Sequence, residues 1–282
     1  MKNTALSLSE KKSKNERITM LTAYDYSTAK LMDACGIDAL LVGDSLGMVM
    51  LGYDSTLPVT MEDMIHHAKA VVRGCERALV VADMPFMSYQ VSVAEAVANA
   101  GRLVKETGVG AVKLEGGAAV CPQIEAITEA SVPVMGHLGL TPQSINVLGG
   151  YKVQGKDRDR ARRLIEDALA LERAGAFAVV LECVPAGLAA LITRLLRIPT
   201  IGIGAGADCD GQVLVYQDML ALYPGNRPRF VKQYADAGSV MKSAFCGYIA
   251  ETESGLFPAA EHAFGIDEEI LNELKRQYEP KA

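Results

Sequence analysis

The sequence lacks the cysteine arrangements that identify metal-binding and disulfide-rich proteins. Six cysteines are spread over 282 residues, and no two of them form a Cys-x-x-Cys pair. This spacing argues against a structural zinc site and against a redox motif. In a chain of this length, unpaired cysteines indicate reduced thiols, and we therefore expect a cytoplasmic protein.

Long apolar runs and an excess of basic residues are also missing. No stretch is apolar for long enough to span a bilayer, and the first residues lack the apolar core of a signal peptide. The formal net charge is -6, so a nucleic-acid partner has no electrostatic support. We expect neither a membrane nor a nucleic acid as a partner.

The composition is that of a large folded domain. Hydrophobic residues make up 50% of the chain and charged residues 22%, which excludes a disordered protein. No Pro- or Ser-rich linker divides the sequence, so we predict one domain over 1–282. Within it, 1–17 is predicted to form a short helix that covers one end of the fold, and 256–282 a helical tail.

Four apolar runs end on a single acid, and helix-like segments separate them. The acids are Asp44, Asp83, Glu115 and Glu182. Buried parallel strands have the form of continuous apolar runs, so each acid is placed at the carboxyl end of a strand. Ligands bind at that end in both closed and open α/β sheets.

The full alternation of strands and helices favours a closed barrel. Helical spacing of apolar residues is found at 60–74, 92–106 and about 157–174. Glycines at 36, 108 and 175 are placed to end helices just before a strand. Strands are predicted near 19–23, 39–43, 79–83, 111–115, 133–137, 177–182 and 200–204, with an eighth near 229–232. We predict a TIM (β/α)8 barrel with a short N-terminal capping helix, and a doubly wound sheet is the alternative.

The acids on the second and third strands are candidate metal ligands. Asp44 and Asp83 end consecutive strands, so their carboxylates are expected to be neighbours. Two such carboxylates repel each other unless a proton or a cation lies between them. Ligands that are all oxygen suit Mg²⁺. The structural alternative for either aspartate is that it caps the following turn or helix.

Two charged residues of the fourth predicted strand share one face. Side chains alternate along a strand, so Lys113 and Glu115 point into the barrel if Val112 and Leu114 face the helices. A buried lysine must be paired or must hold an anion. Lys113 is therefore either a clamp for a substrate carboxylate or phosphate, or one partner of a salt bridge in the core.

Glu182 and His137 end two further predicted strands. Glu182 follows an apolar run and is a candidate general base, or else a polar lid on the barrel mouth. His137 is either an accessory residue of the site or a hydrogen-bonded structural histidine. The run from Gly202 to Ala207 fits a dinucleotide pattern, but the following Asp208 and Gly211 are a poor start for a helix, so we do not predict a nucleotide site.

Several segments carry a resemblance to a known family. They are MLTAYD at 20–25, LVGDSLG at 41–47, ADMPFMSY at 82–89, VKLEGG at 112–117, GHLGLTPQ at 136–143, GGYKVQG at 149–155, IGIGAG at 201–206 and CDGQVLV at 209–215. In these segments the chain resembles the ketopantoate hydroxymethyltransferase family, and the resemblance extends over about 18–260. Ala207 and Asp208 depart from the usual pattern.

The resemblance implies an activity and assigns roles to the strand-end residues. It implies transfer of a hydroxymethyl group from 5,10-methylenetetrahydrofolate to α-ketoisovalerate, which gives ketopantoate for pantothenate and coenzyme A synthesis. It implies Mg²⁺ and a homo-oligomer, a decamer. The implied roles are metal binding by Asp44, Asp83 and Glu115, substrate binding by Asp44, Ser45, Asp83 and Lys113, and proton abstraction by Glu182. From the residues alone, the roles of Glu115 and Glu182 could not be separated.

Two other functions are compatible with the same pattern of acids. One is a folate-independent, Mg²⁺-dependent lyase or mutase barrel that makes or breaks carbon–carbon bonds of α-keto acids. The other is a catalytically silent barrel that acts in binding or assembly. Activity without tetrahydrofolate would favour the first, and failure to bind Mg²⁺ with a keto acid would favour the second.

Overall fold

The computed structural model describes residues 2–223 and 228–280. Residues within Met1–Met219 and Gly225–Tyr234 form one compact unit, and those within Leu220–Pro224 and Ala235–Ala282 form a second. In the first unit eight parallel strands close into a barrel in sequence order, which confirms the predicted fold class. The single-domain prediction for 1–282 stays a prediction.

The strands and helices alternate through the barrel unit. The strands are β1 Ile18–Thr22, β2 Ala39–Val42, β3 Leu79–Asp83, β4 Ala111–Glu115, β5 Val134–Gly139, β6 Ala178–Glu182, β7 Thr200–Ile203 and β8 Gly211–Leu214. The helices are α1 Ala5–Ser13, α2 Tyr26–Ala34, α3 Leu46–Val49, α4 Met61–Gly74, α5 Val93–Thr107, α6 Cys121–Glu129, α7 Ile145–Leu148, α8 Arg158–Arg173, α9 Ala186–Leu195 and α10 Tyr216–Met219. Short 3₁₀ turns lie at Ala118–Val120 and Pro142–Ser144.

The second unit is helical. Its helices are α11 Ala237–Ser254 and α12 Glu268–Tyr278, with a 3₁₀ turn at Ala260–His262 between them. The helix α12 lies within the predicted tail. Throughout the described parts of the chain, no helix combines the length and apolar character needed to cross a membrane.

The prediction of an eighth strand near 229–232 is wrong. The eighth strand is β8, at Gly211–Leu214, and it pairs with both β1 and β7. Its first residue is a glycine because a Cβ there would lie 2.6 Å from the carbonyl oxygen of Ile18. The glycine, with Gln212 after it, gives this strand a weaker apolar pattern than the other seven.

The interior of the barrel is apolar toward the amino-terminal ends of its strands. Alternate residues of every strand contribute to one buried cluster, among them Met20, Leu41, Val81 and Val180. Leu8 of α1 belongs to the same cluster and is 1% exposed. The helix α1 is the predicted capping helix, and its Leu8 extends the apolar core.

Polar contacts attach α1 to the loops that precede three strands. Lys11 forms an ion pair with Asp38, before β2, and Lys12 forms one with Asp210, before β8, at 2.6 and 2.8 Å. Just before α1, the backbone N–H of Asn3 donates to the carbonyl of Arg77, before β3. These contacts place α1 at the amino-terminal end of the barrel and leave the carboxyl-terminal end of the strands open.

Truncation of Leu8 tests this arrangement. Leu8→Ala leaves a cavity at the end of the core, and we expect the free energy of unfolding to fall by about 2–5 kcal/mol. Leu6→Ala is the matched control, because Leu6 lies on the same helix but is 68% exposed. Urea denaturation followed by circular dichroism measures both variants. Equal stability of the two would contradict the placement of α1.

Candidate active site

The strand register places the polar residues of the barrel interior side by side on neighbouring strands. Asp83 of β3 is the register partner of Lys113 of β4, and Glu115 of β4 is the partner of His137 of β5. All four side chains are at least nine-tenths buried. Because side chains alternate along a strand, Asp83, Lys113 and His137 point to the same side as the apolar core residues two positions earlier, and Glu115 points to the same side as Lys113. They therefore form a polar layer above the apolar one.

The first contact in this layer is a buried ion pair. Lys113 Nζ lies 2.8 Å from Asp83 Oδ1. The other carboxylate oxygen of Asp83 accepts a hydrogen bond from the backbone N–H of Asp44 at 3.1 Å. Among the described residues, the Lys113 ammonium is the one partner of Asp83 Oδ1. Asp44 and Asp83 are thus neighbours, as predicted.

His137 lies between two acids. Its Nδ1 is 3.4 Å from Glu115 Oε1, and its Nε2 is 3.3 Å from Glu182 Oε2. Burial and the nearby Lys113 ammonium act to lower the pKa of His137, but the two carboxylates outweigh them and raise this pKa to about 9. The imidazole is therefore cationic at neutral pH. Lys113 Nζ also lies 3.2 Å from Nδ1, so this nitrogen faces both the ammonium and Glu115 Oε1.

A close approach of backbones places Glu182 beside this histidine. Gly139 ends β5 with a φ of +94°, and a Cβ at this position would collide with the carbonyl oxygen of Glu182. Only glycine fits both the left-handed conformation and the close contact. Glu182 is consequently held at the mouth of the barrel, with a side chain 16% exposed.

Gln143 connects the acids and was not singled out from the sequence. Its side-chain Nε2 donates to Asp44 Oδ2, and its backbone N–H donates to Glu115 Oε2, both at 2.9 Å. The hydroxyl of Tyr89 donates to Gln143 Oε1 at 2.7 Å. Both residues lie in segments that carry the family resemblance, and those segments were the only signal for them.

Ser45 lies at the same rim. Its hydroxyl is 2.8 Å from the hydroxyl of Tyr24, which is 1% exposed. A Cβ on Gly43 would lie 2.8 Å from Ser45 Oγ and 3.3 Å from Asp83 Oδ2. Ser45 Oγ and the Asp83 carboxylate therefore flank the same small space.

Negative charge exceeds positive charge at this end of the barrel. Burial, followed by the carboxylates of Asp83 and Glu115, raises the pKa of Asp44 well above its usual value. Burial also acts to lower the pKa of Lys113, but the surrounding carboxylates raise it further, so this side chain stays cationic. Four carboxyl groups thus face one ammonium and one imidazolium, and the raised pKa values of Asp44 and Asp83 mean that the excess of acids is balanced only when a proton or a cation is taken up.

This charge and the donor set fit a divalent cation. Among the described residues, no three His, Cys, Asp or Glu side chains form a ready-made metal site. Mg²⁺ is commonly held by one or two carboxylates, with water and substrate as its other ligands. Asp44 and Asp83 supply such a pair. Glu115 has both oxygens engaged, one with the Gln143 N–H and one with His137.

The structure brings together every residue that was predicted for the site. Asp44, Ser45, Asp83, Lys113, Glu115, His137 and Glu182 lie at the carboxyl ends of β2 to β6. Lys113 does form the core ion pair that was its structural alternative. The individual roles in metal binding, substrate binding and catalysis stay predictions.

The glycine-rich run at 202–207 has no part in this cluster. It leads into β8 and not into a helix, and Gly204 and Gly206 have φ values of +65° and +85°. The nearby Asp210 accepts hydrogen bonds from the backbone N–H and the hydroxyl of Thr200 and pairs with Lys12. These contacts are structural.

Solved structures with a similar fold are distant in sequence. The chain superposes on 2,3-dimethylmalate lyase with a TM-score of 0.57 and 15% identity, covering 98% of this chain and 100% of that one. It superposes on phosphonopyruvate hydrolase with a TM-score of 0.60 and 11% identity, covering 98% and 99%. At this level of identity the similarity establishes the barrel fold alone.

Sequence comparison identifies closer relatives. The 3-methyl-2-oxobutanoate hydroxymethyltransferase of Clostridium novyi (strain NT) is 64% identical over 274 residues, which cover 97% of this chain and 100% of that protein. The enzyme of the same name from Enterococcus faecalis (strain ATCC 700802 / V583) is 62% identical over the same length. The family model for ketopantoate hydroxymethyltransferase matches residues 2–260. The chain therefore belongs to the ketopantoate hydroxymethyltransferase family, as the sequence motifs predicted.

Proposed function

We propose that this protein transfers a hydroxymethyl group from 5,10-methylenetetrahydrofolate to 3-methyl-2-oxobutanoate, which is α-ketoisovalerate, and so forms ketopantoate. The observation that carries the proposal is the cluster of four acids around Lys113 and His137, in a chain 64% identical to a relative of that name. The product is a precursor of pantothenate and coenzyme A. The predicted decameric assembly and cytoplasmic location stay predictions.

Asp44 and Asp83 would hold Mg²⁺, and Glu115 would act on it through water because its own oxygens are engaged. Bound Mg²⁺ would supply Lewis-acid stabilisation of the charge that develops on the keto oxygen, an effect worth several kcal/mol. The phosphonopyruvate hydrolase structure, which has the same fold, contains oxalate and Mg²⁺. Oxalate carries two adjacent oxygen-bearing carbons, as an α-keto acid does.

Lys113 and Ser45 bind the substrate carboxylate in this proposal. Lys113 is 3% exposed and cationic, so an incoming carboxylate meets a charge that water screens little. The Ser45 hydroxyl, paired with that of Tyr24, adds a donor at the same rim. Together they orient C3 of the substrate toward Glu182.

Glu182 removes the proton from C3. The carbon that loses the proton then forms a bond to the methylene carbon of the folate as one carbon–nitrogen bond of that methylene group breaks, and the freed nitrogen takes up a proton. Water supplies the hydroxyl group as the second carbon–nitrogen bond breaks, its remaining proton goes to that nitrogen, and tetrahydrofolate leaves. His137 lies 3.3 Å from Glu182 Oε2 and holds the carboxylate in place through its positive charge. Glu115, on the other side of the ring, keeps the imidazole oriented. Glu115 and Glu182 therefore have different tasks, one at the metal and one at the substrate.

A folate-independent lyase or mutase was the alternative interpretation of the acids. The barrels that share this fold include a lyase and a phosphomutase, but at 14–15% identity they establish the fold alone. The family match and the curated relatives favour the transferase. An assay of α-ketoisovalerate with methylenetetrahydrofolate, with and without a chelator, tests the proposed function. Turnover that needs neither folate nor metal would refute it.

The base is tested by hydrogen exchange. Glu182→Gln keeps the size of the side chain but removes its basicity, and we expect exchange of the substrate C3 proton with D₂O to slow by about 10²–10⁴-fold. Substrate binding, measured by calorimetry, is expected to persist. Glu129→Gln, an exposed change on α6, is the control and exchanges normally. Normal exchange in the Glu182 variant would refute the assignment.

The metal ligands are tested by binding measurements. In Asp83→Asn the carboxamide keeps an oxygen that can accept the Asp44 N–H but loses the charge that attracts a cation. We expect calorimetry to show α-ketoisovalerate binding that depends on Mg²⁺ in the wild type and is lost in the variant. Wild-type protein with excess chelator provides the reference for metal-free binding. Undiminished Mg²⁺-dependent affinity in the variant would count against this metal site.

Gln143 is tested as a positioning residue. The methionine of Gln143→Met has a similar length but lacks the amide that donates to Asp44. Residues that hydrogen-bond to metal ligands typically contribute about 10–100-fold to metal affinity or activity. We expect the Mg²⁺ concentration at half-maximal activity to rise by such a factor. Gln90→Met is the control. It removes an amide that donates to Gln143 Oε1 at 3.3 Å and accepts from the Tyr89 N–H at 3.4 Å, but that has no hydrogen bond to Asp44 or Glu115 among the described residues. A uniform fall in kcat at unchanged Mg²⁺ dependence would contradict the role.

A further inference from the structure

A cavity adjoins the carboxyl ends of β4 and β5. Its volume is about 640 Å³, and its walls include Gly116 and Gly139, which lie just beyond Glu115 and His137. One face of α8 closes the other side, through Arg160, Arg163 and Asp167. The cavity therefore adjoins the candidate active site but is built from residues to which the proposed reaction gives no task.

The charged residues that line this cavity are mainly cationic. They are Lys152, Lys156, Arg160 and Arg163, with Asp167 as the one acid. In the described parts of the chain, Arg160 pairs only with the exposed Asp157, and the other three cations form no ion pair with an acid. One oxygen of Asp167 accepts the Ala118 N–H. A protein with a net charge of -6 thus places four cations at one cavity, three of them without an ion-pair partner among the described residues.

The loop that carries the two lysines is fixed to the barrel. The backbone N–H of Gln154 donates to the carbonyl of Cys183, the residue after Glu182, at 2.9 Å. Gly155 is buried with a φ of +80°, and a Cβ there would lie 2.7 Å from Leu164 of α8 and 2.8 Å from Leu188 of α9. Lys152 and Lys156 are therefore presented by a fixed loop beside the mouth of the barrel.

We infer that this cavity binds the glutamate tail of the folate donor. The inference rests on the proposed function, which supplies a donor whose reactive end must lie near Glu182. Such a donor carries its carboxylates at the opposite end of an elongated molecule. Four cations along a fixed loop and one helix face match a chain of several carboxylates better than a single anion. The tail carboxylates contact Lys152, Lys156, Arg160 and Arg163, while the pteridine end lies at the barrel mouth.

Binding of two folates that differ only in the tail tests this inference directly. Pteroylpentaglutamate is expected to bind the full-length protein about 10-fold more tightly than pteroylmonoglutamate in calorimetry, since each exposed charge contact contributes a few-fold at most. Raising the salt from about 0.05 M to about 0.5 M should remove most of the difference, because exposed charges are screened. Equal affinities at low salt would overturn the inference.

Paired variants assign the effect to the cavity. Lys156→Ala with Arg163→Ala should bring the two affinities within about 2-fold of each other, and Lys152→Ala with Arg160→Ala provides an independent second pair. Arg162→Ala is the matched control, because Arg162 is an exposed arginine of the same helix but does not line the cavity. This variant should keep the wild-type difference in affinity between the two folates. Retention of the full difference in both double variants, or its loss in the control, would overturn the inference.

The binding comparison is independent of turnover. If wild-type protein fails to convert α-ketoisovalerate with either donor, the proposed function falls, while the tail-length comparison still decides whether the cavity binds the tail. If the protein turns over both donors with the same KM and binds both folates equally, the proposed function stands and the cavity assignment is refuted. A lower KM for the pentaglutamyl donor that is seen in the wild type and lost in the double variants supports both the proposed function and the cavity assignment.

Discussion

The ion pair between Lys113 and Asp83 is the interaction on which the site depends. Four carboxylates lie at this end of the barrel, and burial without compensation would force several of them to take up protons. Lys113 lies 2.8 Å from Asp83 and is held cationic by the acids around it. His137 supplies the second positive charge, between Glu115 and Glu182. The remaining excess of negative charge is what makes the cluster suited to a divalent cation.

The inward-facing positions of the strands contribute both to the stability of the barrel and to its candidate site. The inward positions of β3 run from Leu79 through Val81 to Asp83, so the same face is apolar near its start and charged at its end. The apolar layers, extended by Leu8, keep water from the lower half of the barrel. The charged residues are consequently displayed only at the open end, where substrates and the adjoining cationic cavity meet.

Much of this arrangement could be predicted from the sequence. Continuous apolar runs identified seven strands, and the acid after each of four runs identified the candidate site, because strand periodicity is a local property. β8 was missed because Gly211 and Gln212 weaken its pattern, and the pairing that makes it a strand comes from β1 and β7. Gln143 and Tyr89 were also missed, for a similar reason. They lie outside the strands, and their importance comes from contacts with residues far away in the chain.

The most direct test of the central claim is a crystal structure of the protein with Mn²⁺ and α-ketoisovalerate, with data collected for the anomalous signal of the metal. Mn²⁺ prefers oxygen ligands, as Mg²⁺ does, and is visible by its anomalous scattering. We expect one strong peak roughly 2 Å from carboxylate oxygens of Asp44 and Asp83, with the keto acid beside Lys113 and its C3 facing Glu182. A metal peak away from these two aspartates, or a keto acid bound outside the acid cluster, would show that the four acids do not form the catalytic site.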